Sequence, residues 1–340
     1  MSVRPPTLTD VARRVGVSAK TVSRVLNSDG PVAPGTRERV LAAVAELGFR
    51  PNLMARNMRV GSPDSTVGLV VPELGNPFFG TVAGGVERVV RERGLTLLVG
   101  ASAETPEQER AVIASFLARR VSVLMVVPAP GSRHEELRAE QEGGLPLVFL
   151  DRPASGLTAD SVLSENRAGA RSGVAHLLAH GHRRIAFVGD RPARLHTRSE
   201  RLHGYRAALA EAGAAFDAAL TAEAHDPAAA AAAVRRLLAA PDPPTAVFAA
   251  NNLASLGVVT ALAEGGRRDV ALVGFDDLPL SGVLEPGLTV IAQDPAALGG
   301  TAAELALRRL DGEPSPAAAR TVPVRLIARG SGELPGPAAR

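Results

Sequence analysis

A chain of 340 residues, 46% of them hydrophobic, is long enough for a small domain followed by a large, well-buried one, and too apolar for a disordered polymer. Its 38 lysines and arginines barely exceed its 35 acids, yet residues 1–60 hold ten basic side chains against four acidic ones, so the positive charge belongs to the N-terminal part and the remainder is slightly acidic. Cysteine is absent, which excludes disulfides and thiol chemistry; no apolar run approaches the roughly 20 residues needed to span a bilayer, and no apolar signal core opens the chain, so a cytoplasmic protein without a membrane partner is expected.

Residues 7–27, TLTDVARRVGVSAKTVSRVLN, read as two short helices joined by a tight turn. Thr7 and Asp10 have the spacing of a capping box, and Val11 and Val15 give the first helix an apolar face. Gly16 and Val17 turn the chain, and Ser18 is placed to cap the second helix, whose Val22, Val25 and Leu26 face inward. Ala19, Lys20, Thr21, Ser23, Arg24 and Asn27 are left on its outer face. A helix-turn-helix presents such a face to the major groove, where Lys and Arg donate to guanine and small hydroxyls grip phosphates. A solvated helix pair in some other small domain is the plainer alternative. Lys20 is the only lysine of the chain and falls on the reading face.

Val32 to Phe49 carries Val40, Leu41, Val44 and Leu47 at helical spacing and stops at Gly48, a third helix that would close a three-helix domain over residues 1–50. RPNLMARNMRVG, residues 50–61, could form one or two helical turns but has little apolar face to bury, so residues 51–64 are expected to be a hinge helix and linker.

From Val67 apolar runs alternate with helical stretches. Runs at 67–71, 95–100, 122–127, 146–151, 184–189, 245–250 and 270–275 read as buried parallel strands, and helices are expected at 78–93, 106–119, 166–180, 198–212, 227–240 and 252–264. This is a doubly wound α/β pattern, and its length favours two sheets over one. One lobe is expected over 65–163 and 294–320, the other over 164–292 and 321–330, with a flexible Pro/Gly-rich tail at 331–340. Ligands of such folds bind beyond the carboxyl ends of the strands, here in the cleft between the lobes.

Over essentially its whole length the chain resembles transcription regulators of the lactose-repressor (LacI/GalR) family. The match is carried by TLTDVARRVGVSAKTVSRVLN, the PNLMARNM segment, VGLVVPELGNPFF at the first strand, RSERLHGYRAAL, VGFDDLPL and TVIAQDPAALG. The resemblance implies an all-α helix-turn-helix domain followed by a two-lobed, periplasmic-binding-protein-like α/β domain with two doubly wound parallel sheets. It also implies a homodimer on a pseudo-palindromic double-stranded operator, and a small effector, a sugar or related polyol, in the cleft.

Carried over by position, the resemblance assigns base reading to Ala19, Lys20 and Arg24 and backbone contacts to Thr21, Ser23 and Asn27. It places Ala55, Met58 and Arg59 in the minor groove, with Met58 where the family wedges a leucine, although an ordinary apolar contact would also use Met58. Effector binding falls to Asn76, Phe79, Asp151, Arg152, Arg201, Asn251, Asp276 and Gln293, a set suited to a polyol: carboxylate and amide acceptors, an arginine fork, and a phenyl face. Each could equally be a cap or turn residue. Two positions depart from the family: Asn251-Asn252 stands where Asn-Asp is usual, and Glu165-Asn166 where Asp-Asn is usual, so the ligand's charge is open.

No cofactor is implied, and no nucleophilic or paired-carboxylate arrangement presents itself, so an enzyme is not expected. His176, His180 and His182 could form a metal cluster, but they read better as a helix end and strand entry. Gly84 and Gly85 lie within an expected helix and not in a phosphate loop. Three alternatives remain open: a regulator answering to a protein corepressor, an exported sugar-binding protein, and an enzyme with an appended reader.

Overall fold

The computed structural model describes residues 6–27, 30–49, 66–191 and 195–337. The chain divides into two compact units, Met1–Asp64 and Ser65–Arg340. Residues 50–65, which contain the expected hinge with Ala55, Met58 and Arg59, lie outside the described residues, as does the side chain of Asn27.

In the first unit, α1 (Leu8–Val15), α2 (Ala19–Asn27) and α3 (Pro34–Leu47) pack around Val11, Ala12, Val22, Val25, Val40 and Ala43. The Thr7 amide donates to Asp10 Oδ2 at 2.9 Å, and Gly16 takes the left-handed φ of +75° that lets the chain leave α1 and turn into α2. Leu41 departs from expectation. It is 47% exposed, because the inward face of α3 follows Val40, Ala43, Val44 and Leu47 and leaves position 41 on the far side.

The second unit holds two six-stranded sheets. The first is built from β1 (Thr66–Val71), β2 (Thr96–Ala101), β3 (Val123–Val126), β4 (Leu147–Leu150), β5 (Asp160–Ser164) and β11 (Ala319–Val322) in the order β11-β5-β4-β3-β1-β2, all parallel. The helices of this lobe are α4 (Pro77–Glu92), α5 (Pro106–Ala118), the short α6 (Arg138–Glu142) and α11 (Pro295–Leu310). Gly85 of α4 and Gly299 of α11 let the two helices touch backbone to backbone: a Cβ at Gly85 would stand 2.2 Å from Ala296 O, and one at Gly299 2.1 Å from Val82 O. Close packing is therefore the reason for the glycine at 85.

The second sheet has β6 (Ile185–Gly189), β7 (Thr221–Glu223), β8 (Ala246–Ala249), β9 (Ala271–Phe275), β10 (Thr289–Ala292) and β12 (Arg325–Ile327) in the order β12-β10-β9-β8-β6-β7. Its helices are α7 (Asn166–Ala179), α8 (His196–Glu211), α9 (Pro227–Leu238) and α10 (Asn252–Glu264). The sheet is not wholly parallel, since β12 runs antiparallel to β10. The chain leaves β11 at the carboxyl end of the first sheet and enters the second lobe after only Pro323 and Val324, so it arrives at the carboxyl end of that sheet and must run against its strands.

The chain crosses between lobes at Glu165, at Gln293–Asp294 and at Pro323–Val324, the last about two residues later than expected because β11 continues to Val322. The expected flexible tail is a packed strap over its described part. Ser331 is buried, with its Oγ donating to Leu272 O at 2.6 Å and accepting from the Thr289 amide at 2.9 Å; the Gly336 amide donates to His180 O at 2.7 Å. The Pro/Gly content that reads as disorder instead supplies a backbone slim enough to lie against Gly181.

Candidate functional site

On the first unit the surface of interest is the start of α2. Ser18 Oγ accepts the Thr21 amide at 3.1 Å and also pairs with Thr21 Oγ1 at 2.9 Å, so the helix begins where its capping residue stands. With Val22 and Val25 drawn into the core, Ala19, Lys20 and Arg24 are exposed together, while Thr21 and Ser23 are half-buried at the edges of that face. This is a small basic platform on a rigid helix, of the kind that donates to base edges and phosphates.

On the second unit, polar side chains gather where the two sheets present their carboxyl ends to each other. Glu73 and Asn76 follow β1, Glu104 follows β2, Asp151 and Arg152 follow β4, Asp190 follows β6, Asn251 and Asn252 follow β8, Asp276 follows β9 and Gln293 follows β10; all line one cleft with Phe78, Phe79, Thr197, Arg198 and Arg201. The free space among them is about 40 Å³, room for a water or two, and an adjoining hollow of about 350 Å³ shares Phe78, Asn252, Asp276 and Gln293.

Two lobes meet in this cleft through a pair of buried amides. Asn252 Nδ2 donates to Asn76 Oδ1 at 2.6 Å, and Asn76 Nδ2 lies 3.4 Å from Asn252 Oδ1. Asn76 also caps α4, its Oδ1 accepting the Phe78 amide at 3.1 Å, and the Asn252 amide donates to Asp276 Oδ2 at 3.1 Å. Asp276 accepts in addition from Gln293 Nε2, while Gln293 Oε1 is buried with no protein partner and can receive a ligand's hydroxyl. Asp151 and Asp276, matching positions in the two lobes, both hold left-handed backbone, with φ of +62° and +77°. Backbone strain of this kind is maintained where a site requires it.

The arginines are largely committed. Arg201 is buried with its guanidinium 3.8 Å above the Phe275 ring; Nε donates to Asn166 Oδ1 at 2.7 Å and Nη1 to Ala250 O at 2.6 Å. Burial holds its pKa below the usual arginine value, against the pull of Asp276 and Asp151. Arg152 gives both Nη atoms to Glu104 at 2.9 Å each and Nη1 also to Pro128 O at 2.7 Å. Asp151 beside it is pushed above the ordinary carboxylate range by burial, an effect that Arg152 and Arg201 oppose.

All eight expected effector residues therefore line the cleft, seven as polar groups and Phe79 as an aromatic ring. Three of them also serve the fold: Asn76 caps α4, Phe79 is part of the hydrophobic core of its lobe, and Asn251 caps α10 through a 2.7 Å bond from the Ala254 amide. Asn252, expected only to remove a charge, is instead the residue that joins the lobes. Glu73, Glu104, Asp190, Thr197 and Arg198 were not anticipated; Glu104 and Asp190 stand just beyond strand ends, where the carboxyl-end rule could have found them. The three histidines serve structure: His176 bonds Glu333, His180 Nδ1 bonds the His176 carbonyl, and His182 bonds Thr245 Oγ1 and Leu334 O. Among the described residues no group of acids and histidines is arranged to hold a metal, and no helix is long and apolar enough to cross a membrane.

Residues 7–52 match the model for bacterial regulatory proteins of the lacI family, and residues 174–332 match that for a periplasmic binding protein-like domain. The regulator GalS of Salmonella typhimurium is 33% identical over 306 residues, which are 89% of each chain. This chain belongs to the LacI family. The regulator is accordingly a helix-turn-helix, DNA-binding transcription factor and not an enzyme. Among solved structures, the lac repressor dimer bound to operator and the anti-inducer ONPF is 29% identical with a TM-score of 0.84, covering 97% of this chain and 99% of that one. The complex of the regulator CelR with cellobiose is 32% identical with a TM-score of 0.70, covering 96% and 99%.

Proposed function

We propose that this LacI-family regulator is a cytoplasmic repressor that binds a pseudo-palindromic operator as a homodimer, and that a sugar or related polyol in the interlobe cleft sets its operator affinity. The observation that carries the reading is the convergence, in one narrow cleft, of buried hydrogen-bonding side chains from both lobes. A ligand rich in hydroxyls can replace the bonds these groups now make to one another, and each lobe would then close on it. Cellobiose in the complex of CelR and operator DNA under the lac repressor dimer support the two halves of the proposal.

Ala19, Lys20 and Arg24 read bases in this account, and Thr21, Ser23 and Asn27 hold phosphates. Ala55, Met58 and Arg59 enter the minor groove at the centre of the operator, Met58 as the wedge. Leu280 and Val283, 72% and 71% exposed, offer apolar surface for the second copy. Opening or closing the cleft alters the relation of the lobes, and in a dimer that changes the separation from which the two hinge segments start toward the operator. Ligand and operator affinities are then coupled reciprocally, typically by about 1–3 kcal/mol. The test is fluorescence anisotropy of a labelled operator titrated with full-length protein in the presence of galactose, ribose or cellobiose. At least one sugar should change the operator affinity by about fivefold or more; indifference to the whole set would remove the effector half of the proposal.

A further inference from the structure

The cleft is lined by five carboxylates, Glu73, Glu104, Asp151, Asp190 and Asp276, against three guanidiniums, Arg152, Arg198 and Arg201. A phosphate or carboxylate entering it needs a guanidinium fork that can be offered in full. Arg152 presents the best such fork, nearly buried at the floor of the first lobe, and it is already filled: Glu104 Oε1 and Oε2 each sit 2.9 Å from a different Nη. Of the others, Arg201 has two of its three nitrogens committed to Asn166 and Ala250, and Arg198 lies 3.3 Å from Glu223.

The chain also shapes its backbone to bring Glu104 there. Ala103 and Glu104 both hold left-handed φ, +49° and +56°, a conformation that side-chain-bearing residues adopt in succession only when their surroundings impose it. The turn carries the chain from β2 to the Thr105 cap of α5 and directs the carboxylate across the end of the sheet to Arg152. The remaining acids, as acceptor-only groups, call for hydrogen-bond donors from a ligand, which hydroxyls supply and a fully ionised phosphate group does not.

Resting on the cleft as the effector site, we propose that Glu104 is a specificity-determining residue: a built-in anion that occupies the Arg152 fork, bars phosphorylated and carboxylated ligands, and reserves the cleft for uncharged, hydroxyl-bearing ones.

The test uses the full-length protein at constant ionic strength, with thermal shift followed by calorimetric titration of matched probes: galactose and galactose 1-phosphate, glucose and glucose 6-phosphate, ribose and ribose 5-phosphate, cellobiose, and gluconate. The stabilising compounds should all be uncharged, each phosphorylated partner binding at least about a hundredfold more weakly. Glu104→Gln, which keeps the shape and removes the charge, should narrow that gap by at least about tenfold by improving the phosphorylated member. A phosphorylated sugar bound by the wild type as tightly as its parent overturns the proposal, as does a folded Glu104→Gln protein with an unchanged gap. If Glu104→Gln does not fold, the wild-type pairs alone decide. Silence from every compound would contradict the sugar-effector reading itself, and the proposal would fall with it.

Discussion

Asn76→Ala, Asn252→Ala and the double substitution together measure what holds the two lobes at the cleft. The 2.6 Å bond from Asn252 Nδ2 to Asn76 Oδ1 joins two buried side chains that belong to different lobes, and the reverse contact at 3.4 Å is too long to add much. A neutral hydrogen bond in such a setting contributes about 1 kcal/mol net. Each single substitution also removes a local bond, the cap on the Phe78 amide for Asn76 and the 2.9 Å bond to the Leu253 amide for Asn252, so the singles overstate the bridge. The cycle cancels those local losses and leaves the cross-lobe coupling. In urea unfolding of the full chain, read on the transition of the large unit, the expected coupling is about 1 kcal/mol, and small-angle scattering should show the singles and the double expanding alike. Additivity within about 0.3 kcal/mol would refute the bridge.

Other substitutions test the remaining parts of the account. Lys20→Ala should weaken operator binding by about 1–3 kcal/mol and relax the preference at one position of each half-site; an unchanged preference with weaker binding would make Lys20 a phosphate contact. Arg201→Ala should abolish the effector response and also destabilise the large unit by about 3–5 kcal/mol, since it strands the buried Asn166 Oδ1 and Ala250 carbonyl; an unaltered melting temperature would contradict that dual role. His225 tests the electrostatics of the cleft mouth. Burial disfavours its cation, but the bond to Asp190 and the charges of Asp190, Glu73 and Glu104 outweigh burial and hold its pKa above the ordinary 6.5. Its contribution to stability is therefore complete below that value and lost as the pH rises through the raised native value. The stability difference between wild type and His225→Gln should shrink from about pH 6 to about pH 8, and a difference that grew with pH would reverse the assignment.

Most central strands were legible because parallel strands buried on both faces are written as continuous apolar runs, as in VGLVV and VALVGF, whereas the central β5 and β10, DSVLS and TVIA, are short or interrupted by polar residues and were not expected. Of the edge strands, β2 still shows an apolar run, TLLVGA, but those that close the sheets after the lobe crossings carry no such signal. β11 has three exposed residues in four, and β12 has one exposed and two half-buried, so neither stands out from loop sequence. The packed strap at 331–336 was hidden for a different reason: its partners, Leu272, Thr289 and His180, lie far away in sequence, and composition cannot report backbone pairing across such distances. In the cleft, Asp151, Arg152 and Asp276 were readable through the family resemblance, and all three stand just beyond strand ends. That Glu104 fills the Arg152 fork depends on two left-handed residues in a turn, and that Asn252 bridges to Asn76 depends on how closely the lobes approach. Neither is encoded in local pattern.

The most direct test of the account is selection of bound sequences from random duplex DNA by the full-length protein at physiological salt. A two-fold symmetric site with a constant central step is the predicted result, as a dimeric reader with one α2 in each half-site and a hinge at the centre requires. Binding that is indifferent to sequence and weakens only with salt would contradict it.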